Sequence, residues 1–288
     1  MSKPLLAIDA GNSRLKFGLF VPSRSSFYRR DRDGMSVIKI AEAIGDFPSC
    51  RRFLAISAGD PIPWKTLAGW HPEGTVLAGS NPSGIDRVLA EWPGEKLSTP
   101  LIVRERQSLS IQIDVDAPEK VGIDRLLSAI AANALRPGNR PAIVVDSGTA
   151  TTVNYISRDG RFCGGAILPG LEMSAKALHR YTAVLPLLPV QELGGDLPIA
   201  PGRNTRDAIR NGLFWGQVGA IRELIRQHCL QNKLNEPDII GGCDTENCPW
   251  MVLTGGGGPV LQSQFPGILF LPSLGMHGLA ITAWEAQS

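Results

Sequence analysis

Long apolar runs, a charge excess of either sign and paired cysteine motifs are all missing from this chain, and each absence removes a class of function. The longest apolar stretches have the length of a strand rather than of a bilayer span. Met1-Ser2-Lys3-Pro4 leads straight into one of them, without a basic segment followed by an apolar core. The expectation is a soluble, cytoplasmic protein with no membrane partner. With 29 Lys and Arg against 27 Asp and Glu, the chain lacks the basic surplus that phosphate-backbone binding requires, so no nucleic-acid partner is expected. The cysteines are Cys50, Cys163, Cys229, Cys243 and Cys248, an odd number without a secretory signal, and reduced thiols are expected. Cys243 and Cys248 have no second Cys or His pair close in sequence, His228 and His277 being far off, so a zinc site is not expected.

What is present is a duplicated unit in a chain of 288 residues, long enough for two modest domains. Leu5-Leu6-Ala7-Ile8 runs into Asp9-Ala10-Gly11-Asn12-Ser13 and out through Lys16-Phe17-Gly18-Leu19-Phe20. Ile143-Val144-Val145 runs into Asp146-Ser147-Gly148-Thr149 and out through Val153-Asn154-Tyr155-Ile156. Each copy is an apolar strand that carries a carboxylate to a tight turn, where Gly and a small hydroxyl residue leave backbone N–H groups exposed. One such turn is ordinary. Two, one per domain, can face a nucleotide phosphate from both sides with an Asp on each side for a metal.

Further along, polar residues from Arg29 to Asp33 suggest a solvated turn and Ser36 to Ile44 has helical spacing. Phe53 to Ser57 reads as a buried parallel strand, Thr75 to Ala78 as another, and Leu101 to Val103 and Ile111 to Val115 as strands leading out of the first domain. Asp116 to Glu119 carries a helix-start signal, and Leu127, Ile130, Ala131 and Ala134 share one helical face. The domain boundary is placed near Pro118, giving domains 1–117 and 118–288. Glycine-rich turns are expected at Gly164-Gly165 and at Leu168-Pro169-Gly170, and a partly mobile loop from Pro186 to Gly202. A helix starts at Asn204-Thr205-Arg206-Asp207 and runs to about Cys229. Gly212, Gly216 and Ala220 recur along it, a pattern that lets a neighbour approach the backbone, either a second subunit or the protein's own sheet. A last strand, Met251 to Thr254, opens onto Gly255-Gly256-Gly257-Gly258, and Leu269 to Leu271 precedes a terminal helix.

In order along the chain stand Asp9-x-Gly11-Asn12-Ser13, Gly122-x-Asp124-Arg125, Asp146-x-Gly148-Thr149-Ala150-Thr151-Thr152, Gly164-Gly165-x-Ile167-x-Pro169-Gly170, Thr182-Ala183-x-Leu185-Pro186, Asn204-Thr205-x-x-Ala208-Ile209 and Thr254-Gly255-Gly256. Over nearly the whole chain these segments resemble the type III pantothenate kinases. The resemblance implies an α/β fold of two ribonuclease-H-like domains of the actin-like ATPase superfamily, each a mixed sheet flanked by helices. It also implies transfer of the γ-phosphoryl group of ATP to the primary hydroxyl of pantothenate, the first step of coenzyme A synthesis.

On that resemblance Asp124 is the catalytic base. Asp9, Gly11, Asn12, Ser13, Lys16, Thr149, Gly255 and Gly256 face the nucleotide, with Mg2+ at Asp9 through phosphate or water. Gly122, Ile123, Asp124, Arg125 and Thr205 face pantothenate, Asp146 a monovalent cation, K+ or NH4+, and the protein is a homodimer. Taken alone, Arg125 would read as a surface ion pair and Thr205 as part of a helix cap. The chain departs from the family pattern at Ser13, where Thr is usual, at Val115, where many members place a Tyr of the pantothenate pocket, and at Ser147, where a larger apolar residue is common. The rival readings are a sugar kinase of the same superfamily and a non-catalytic transcription-accessory regulator of the same family.

Overall fold

Leu5, Leu6, Ala7 and Ile8 are all buried, and a strand that hides both its faces must lie inside a sheet covered on two sides. The computed structural model describes residues 3–22, 47–194, 196–237 and 245–287. Its strands are β1 (Leu5–Ala10), β2 (Arg14–Val21), β3 (Ser49–Ser57), β4 (Gly74–Ala78), β5 (Leu101–Ile102), β6 (Ala142–Ser147), β7 (Ala150–Ile156), β8 (Phe162–Pro169), β9 (Trp250–Thr254) and β10 (Leu269–Phe270). Its α-helices are α1 (Trp64–Ala68), α2 (Pro82–Ala90), α3 (Ile123–Leu135), α4 (Leu171–Arg180), α5 (Thr205–Gln231), α6 (Gly258–Leu261) and α7 (Leu274–Glu285). The polar turn at 29–33, the helical spacing at 36–44 and Cys243 lie outside the described residues.

The chain divides into two units, one made of Met1–Ile111, Asp116–Leu135 and Leu274–Ser288, the other of Gln112–Val115 and Arg136–Ser273. This differs from a single cut at Pro118. The reason is α7, which lies on β1, β2 and β4 and packs along α3, so that both helices belong with the first sheet although they follow the expected boundary.

In the first unit the sheet order is β3-β2-β1-β4-β5, antiparallel across β3, β2 and β1 and parallel from β1 through β4 to β5. Leu6, Ile8, Leu15, Phe17 and Leu77 form one apolar face with Leu67 of α1 and Ile85 and Val88 of α2. On the other face a β-carbon at Gly18 would stand 3.1 Å from the Met276 methyl of α7. The strand expected at Phe53 to Ser57 is present, but it is the antiparallel edge β3 rather than a buried parallel strand, and Phe53 is 49% exposed. Ile111 to Val115 is no strand; Ile113 makes a single bridge to Phe162 in the second unit.

The second sheet repeats the first, with order β10-β9-β6-β7-β8 and the same parallel and antiparallel partners around its central strand β6. Both halves are thus mixed five-stranded sheets with flanking helices. Ile143 and Val145 of β6, Val153 and Tyr155 of β7 and Leu253 of β9 share a face with Leu213, Phe214, Val218 and Ile221 of α5. Gly164 and Gly165, expected in a turn, lie inside β8 with φ of 91° and 156°. A β-carbon at Gly165 would come within 2.2 Å of the Val153 carbonyl, so the glycines let β8 press against β7.

Nor is the Pro186 to Gly202 loop free of its surroundings, because α5 holds it by backbone carbonyls. Trp215 donates Nε1–H to the Pro198 carbonyl (3.1 Å), Asn211 donates Nδ2–H to that of Ile199 (3.0 Å) and Arg210 donates to that of Asp196, while the Arg206 side chain adds an ion pair with the Glu192 carboxylate. Cys50, Cys163 and Cys229 are free thiols, whereas Cys248 is in a disulfide, which corrects the expectation that all were reduced. Among the described residues no helix is long and apolar enough to cross a membrane.

Candidate functional site

Antiparallel pairing of β1 with β2 sets Asp9 opposite Lys16, and their side chains meet as an ion pair of 2.9 Å. The turn between them is closed by Gly11 N–H donating to the Arg14 carbonyl at 3.0 Å, which leaves Asn12 and Ser13 exposed at its tip. A β-carbon at Gly11 would meet that carbonyl oxygen at 3.1 Å. Two residues that the sequence reading passed over complete this corner. Gly79 touches the Ala10 backbone so closely that a β-carbon there would lie 2.2 Å from its oxygen. Asn81 donates its N–H to the same oxygen at 3.1 Å and caps α2 by accepting from Gly84. The usable signal was a strand followed by Gly79-Ser80-Asn81-Pro82, a helix-start sequence at a strand's carboxyl end.

The first unit also carries the Gly122-x-Asp124-Arg125 segment. Gly122 opens α3 by accepting from Arg125 and Leu126, and Asp124 occupies the first turn, where the helix dipole favours a negative charge. One Asp124 oxygen accepts the Arg125 N–H at 2.9 Å and stands over Gly122, where a β-carbon would come within 2.5 Å of it. A side chain at 122 would have to displace the Asp124 carboxylate. Surrounding protein pushes the Asp124 carboxyl above its ordinary value, the Arg125 N–H draws it back, and the negative charge of Asp9 adds a further upward push. The residue itself remains exposed, so water reaches the carboxylate and limits the effect. Burial lowers the Arg125 guanidinium, and Asp124 partly restores it. Ile123 turns into the core at 6% exposure.

In the second unit the glycine run folds onto the second Asp-x-Gly turn. Gly255 has φ of 91°, and a β-carbon there would lie 2.4 Å from an Asp146 carboxylate oxygen. Gly257 donates its N–H to the Ser147 carbonyl at 2.7 Å, and a β-carbon on it would strike the Ser147 hydroxyl at 2.3 Å. The absence of a side chain at 257 is what leaves room for the Ser147 side chain and carbonyl. Thr149 is exposed and accepts the Gly170 N–H through its carbonyl at 3.1 Å, and Gly256 is open to solvent. Asp146, Thr149, Gly255 and Gly256 therefore gather at one end of the sheet. Thr205 stands on a different element, exposed at the first residue of α5, whose Asn204 cap accepts the Asp207 N–H at 2.9 Å. Val115 touches the glycine pair of β8, with its methyl 3.5 Å from where a Gly164 β-carbon would be.

The sequence and fold were compared with known proteins. A curated type III pantothenate kinase from Gluconobacter oxydans is 37% identical over 185 residues, 64% of this chain and 62% of the relative. A second, from Caulobacter vibrioides, is 40% identical over 126 residues, 44% of this chain and 47% of the relative. The chain thus spans about half to two thirds of the length of these relatives. Among solved structures, a conserved Campylobacter jejuni protein described as a candidate Baf family transcriptional activator superposes with a TM-score of 0.56 at 17% identity, over 98% of both chains, a likeness of fold. The family model for type III pantothenate kinases matches residues 72–227, more than half of the sequence, and the chain therefore belongs to the type III pantothenate kinase family.

Proposed function

We propose that this protein phosphorylates the primary hydroxyl of pantothenate with ATP, giving 4'-phosphopantothenate and opening coenzyme A synthesis in the cytoplasm. The observation that carries this reading is the Gly122–Arg125 segment, which holds an accessible carboxylate in the first turn of α3 near Asp9 of the phosphate-facing turn. A primary alcohol is a weak nucleophile, so Asp124 orients the hydroxyl and accepts its proton as the oxygen attacks phosphorus. Arg125 offers donors to the polar groups of pantothenate, and Thr205 a hydroxyl at the amino end of α5. Lys16, steadied by Asp9, and the backbone amides of the 11–13 turn counter phosphate charge. Gly255 and Gly256 let the nucleotide approach the backbone, and Thr149 offers it a hydroxyl.

The donor chemistry fits the ions. Asp9 supplies a hard carboxylate oxygen suited to Mg2+, directly or through water. When bound, that ion neutralises charge on the transferring phosphoryl group. Asp146, at the mouth of β6, is the residue that would hold K+ or NH4+. A homodimer is supported by α5, where β-carbons at Gly212 and Gly216 would meet nothing within 4 Å among the described residues, so these two positions are not packed on the described sheets. Tyr181, Val184 and Ile199 are 84–86% exposed in the same unit, apolar surface suited to burial against a second copy. The test is a coupled assay of ADP release, with and without pantothenate and with a panel of hexoses in its place. Release that depends on pantothenate is expected; release that responds only to a hexose would replace pantothenate with a sugar as the acceptor.

A further inference from the structure

One partly buried contact near the proposed base is made by a residue outside the family motifs. Val121 is 6% exposed, and its carbonyl precedes the first turn of α3, so the helix offers it no N–H partner. Arg106 donates Nε–H to it from fifteen residues upstream. Arg106 itself is well placed to hold still. Val103, three residues before it, donates its N–H to Leu77 of β4 at 2.9 Å; Leu109, three residues after it, is buried; and Ser108 closes the turn between them by donating to Glu105 at 2.8 Å. The anchored segment therefore reaches across the first unit to the peptide plane that joins Val121 to Gly122. Gly122 is the residue over which the Asp124 oxygen stands, so close that a β-carbon there would push the carboxylate aside.

We propose that Arg106 is a positioning residue for phosphoryl transfer: its Nε–H fixes the Val121–Gly122 peptide plane, and through it the place of the Asp124 carboxylate. This inference rests on the pantothenate kinase reading above. Its physical basis is that a buried carbonyl stripped of its donor turns toward another partner, and the carboxylate moves with the backbone beneath it. Displacements of about 1 Å in a reacting group cost on the order of 100-fold in rate.

The side chains at 106 can be chosen so that donor and charge separate. Gln carries its amide N–H the same number of bonds from Cα as Arg carries Nε–H, but no charge; Lys keeps the charge with its donor one bond further out; Met has neither. The full chain with Arg106→Gln, Arg106→Lys and Arg106→Met is compared in kcat, in KM for pantothenate and for ATP, and in thermal unfolding. Positioning predicts that Arg106→Met loses about 10- to 100-fold in kcat with both KM values within about threefold, and that Gln recovers more kcat than Lys. Two results overturn it: unchanged kcat in Arg106→Met, or Lys outperforming Gln with the loss confined to KM for pantothenate, which marks a charge contact to the substrate. If Arg106→Met does not fold, the order of Gln and Lys decides by itself. A wild-type chain inactive on pantothenate overturns the functional reading and this role together, whereas an active wild type beside an unimpaired Arg106→Met overturns the role alone.

Discussion

Gly278 of α7 and Leu127 of α3 touch backbone to backbone: a β-carbon on Gly278 would lie 1.8 Å from the Leu127 carbonyl oxygen. Two helices that approach so closely leave no side chain able to yield. Gly278→Ala should cost at or beyond the top of the about 1–3 kcal/mol range of overpacked cores, a Tm loss of roughly 6–12 °C at about 2–4 °C per kcal/mol. Gly275→Ala, one turn earlier, meets the movable Ser128 hydroxyl at 3.2 Å and the Asp124 carbonyl oxygen at an ordinary contact distance of 3.6 Å, and should unfold near the wild-type temperature. Thermal unfolding of both variants checks the contrast.

Asp124→Asn keeps the shape of the helix start and removes the proton acceptor. A fall in kcat of roughly two to four orders of magnitude is expected, with nucleotide affinity retained by equilibrium titration. Near-normal turnover would remove Asp124 from the chemistry.

The same substitution has a pH signature. Folding raises the Asp124 carboxyl above its ordinary 3.8, so the folded state holds that proton more tightly than the unfolded one. Stability from this group is therefore greatest at low pH and is lost as pH rises through the folded value. Asp124→Asn should melt higher than wild type at pH 7, with the gap closing below about pH 4. A variant that melts lower at neutral pH contradicts the sign. In the active enzyme the ionised form is the base, so turnover should fall on the acid side as Asp124 takes up its proton.

Asp146 ends a buried strand beneath Gly255, where a bound monovalent cation would offset its charge. Turnover should be supported by K+ or NH4+ and fall to a small residual in Na+ or tetramethylammonium. Asp146→Asn should erase the distinction between the salts. Equal rates in all four salts would leave Asp146 without an ion to bind.

Gly216→Leu places a large side chain on the open stripe of α5. In a dimer built on that stripe it should give a folded monomer with weakened use of pantothenate, read by light scattering and KM. Because nothing among the described residues would meet a β-carbon at that position, monomer stability should not change. A wild-type chain that is monomeric and fully active ends the proposal.

The hairpins of both sheets were legible because an apolar run, an Asp-x-Gly turn and a second run is a local pattern; so was α5, announced by its Asn204 cap. Strand β8 was not, since Gly164 and Gly165 read as a turn until the close approach of Val153 is known. Phe53 to Ser57 misled because apolar content says that a strand packs, not which neighbour it pairs with or whether it is an edge. The Asp9 turn could be picked out by its local pattern and the Asp124 motif by its resemblance to the family, but the nearness of the two carboxylates depends on tertiary packing. The tethering of the loop after Pro186 and the reach of Arg106 to Val121 are long-range bonds between side chains and carbonyls, for which a sequence has no periodic signal.

The assignment of α7 to the first unit has a consequence for biosynthesis. The second unit is continuous from Arg136 to Ser273 apart from the short 112–115 segment, so all of it is synthesised before α7. The first sheet, begun at Leu5, must wait for Leu274–Glu285 before β1, β2 and β4 gain their helix and α3 its partner. The half of the protein that is translated first is thus the half completed last, and Asp124 receives its full support only when the final helix docks.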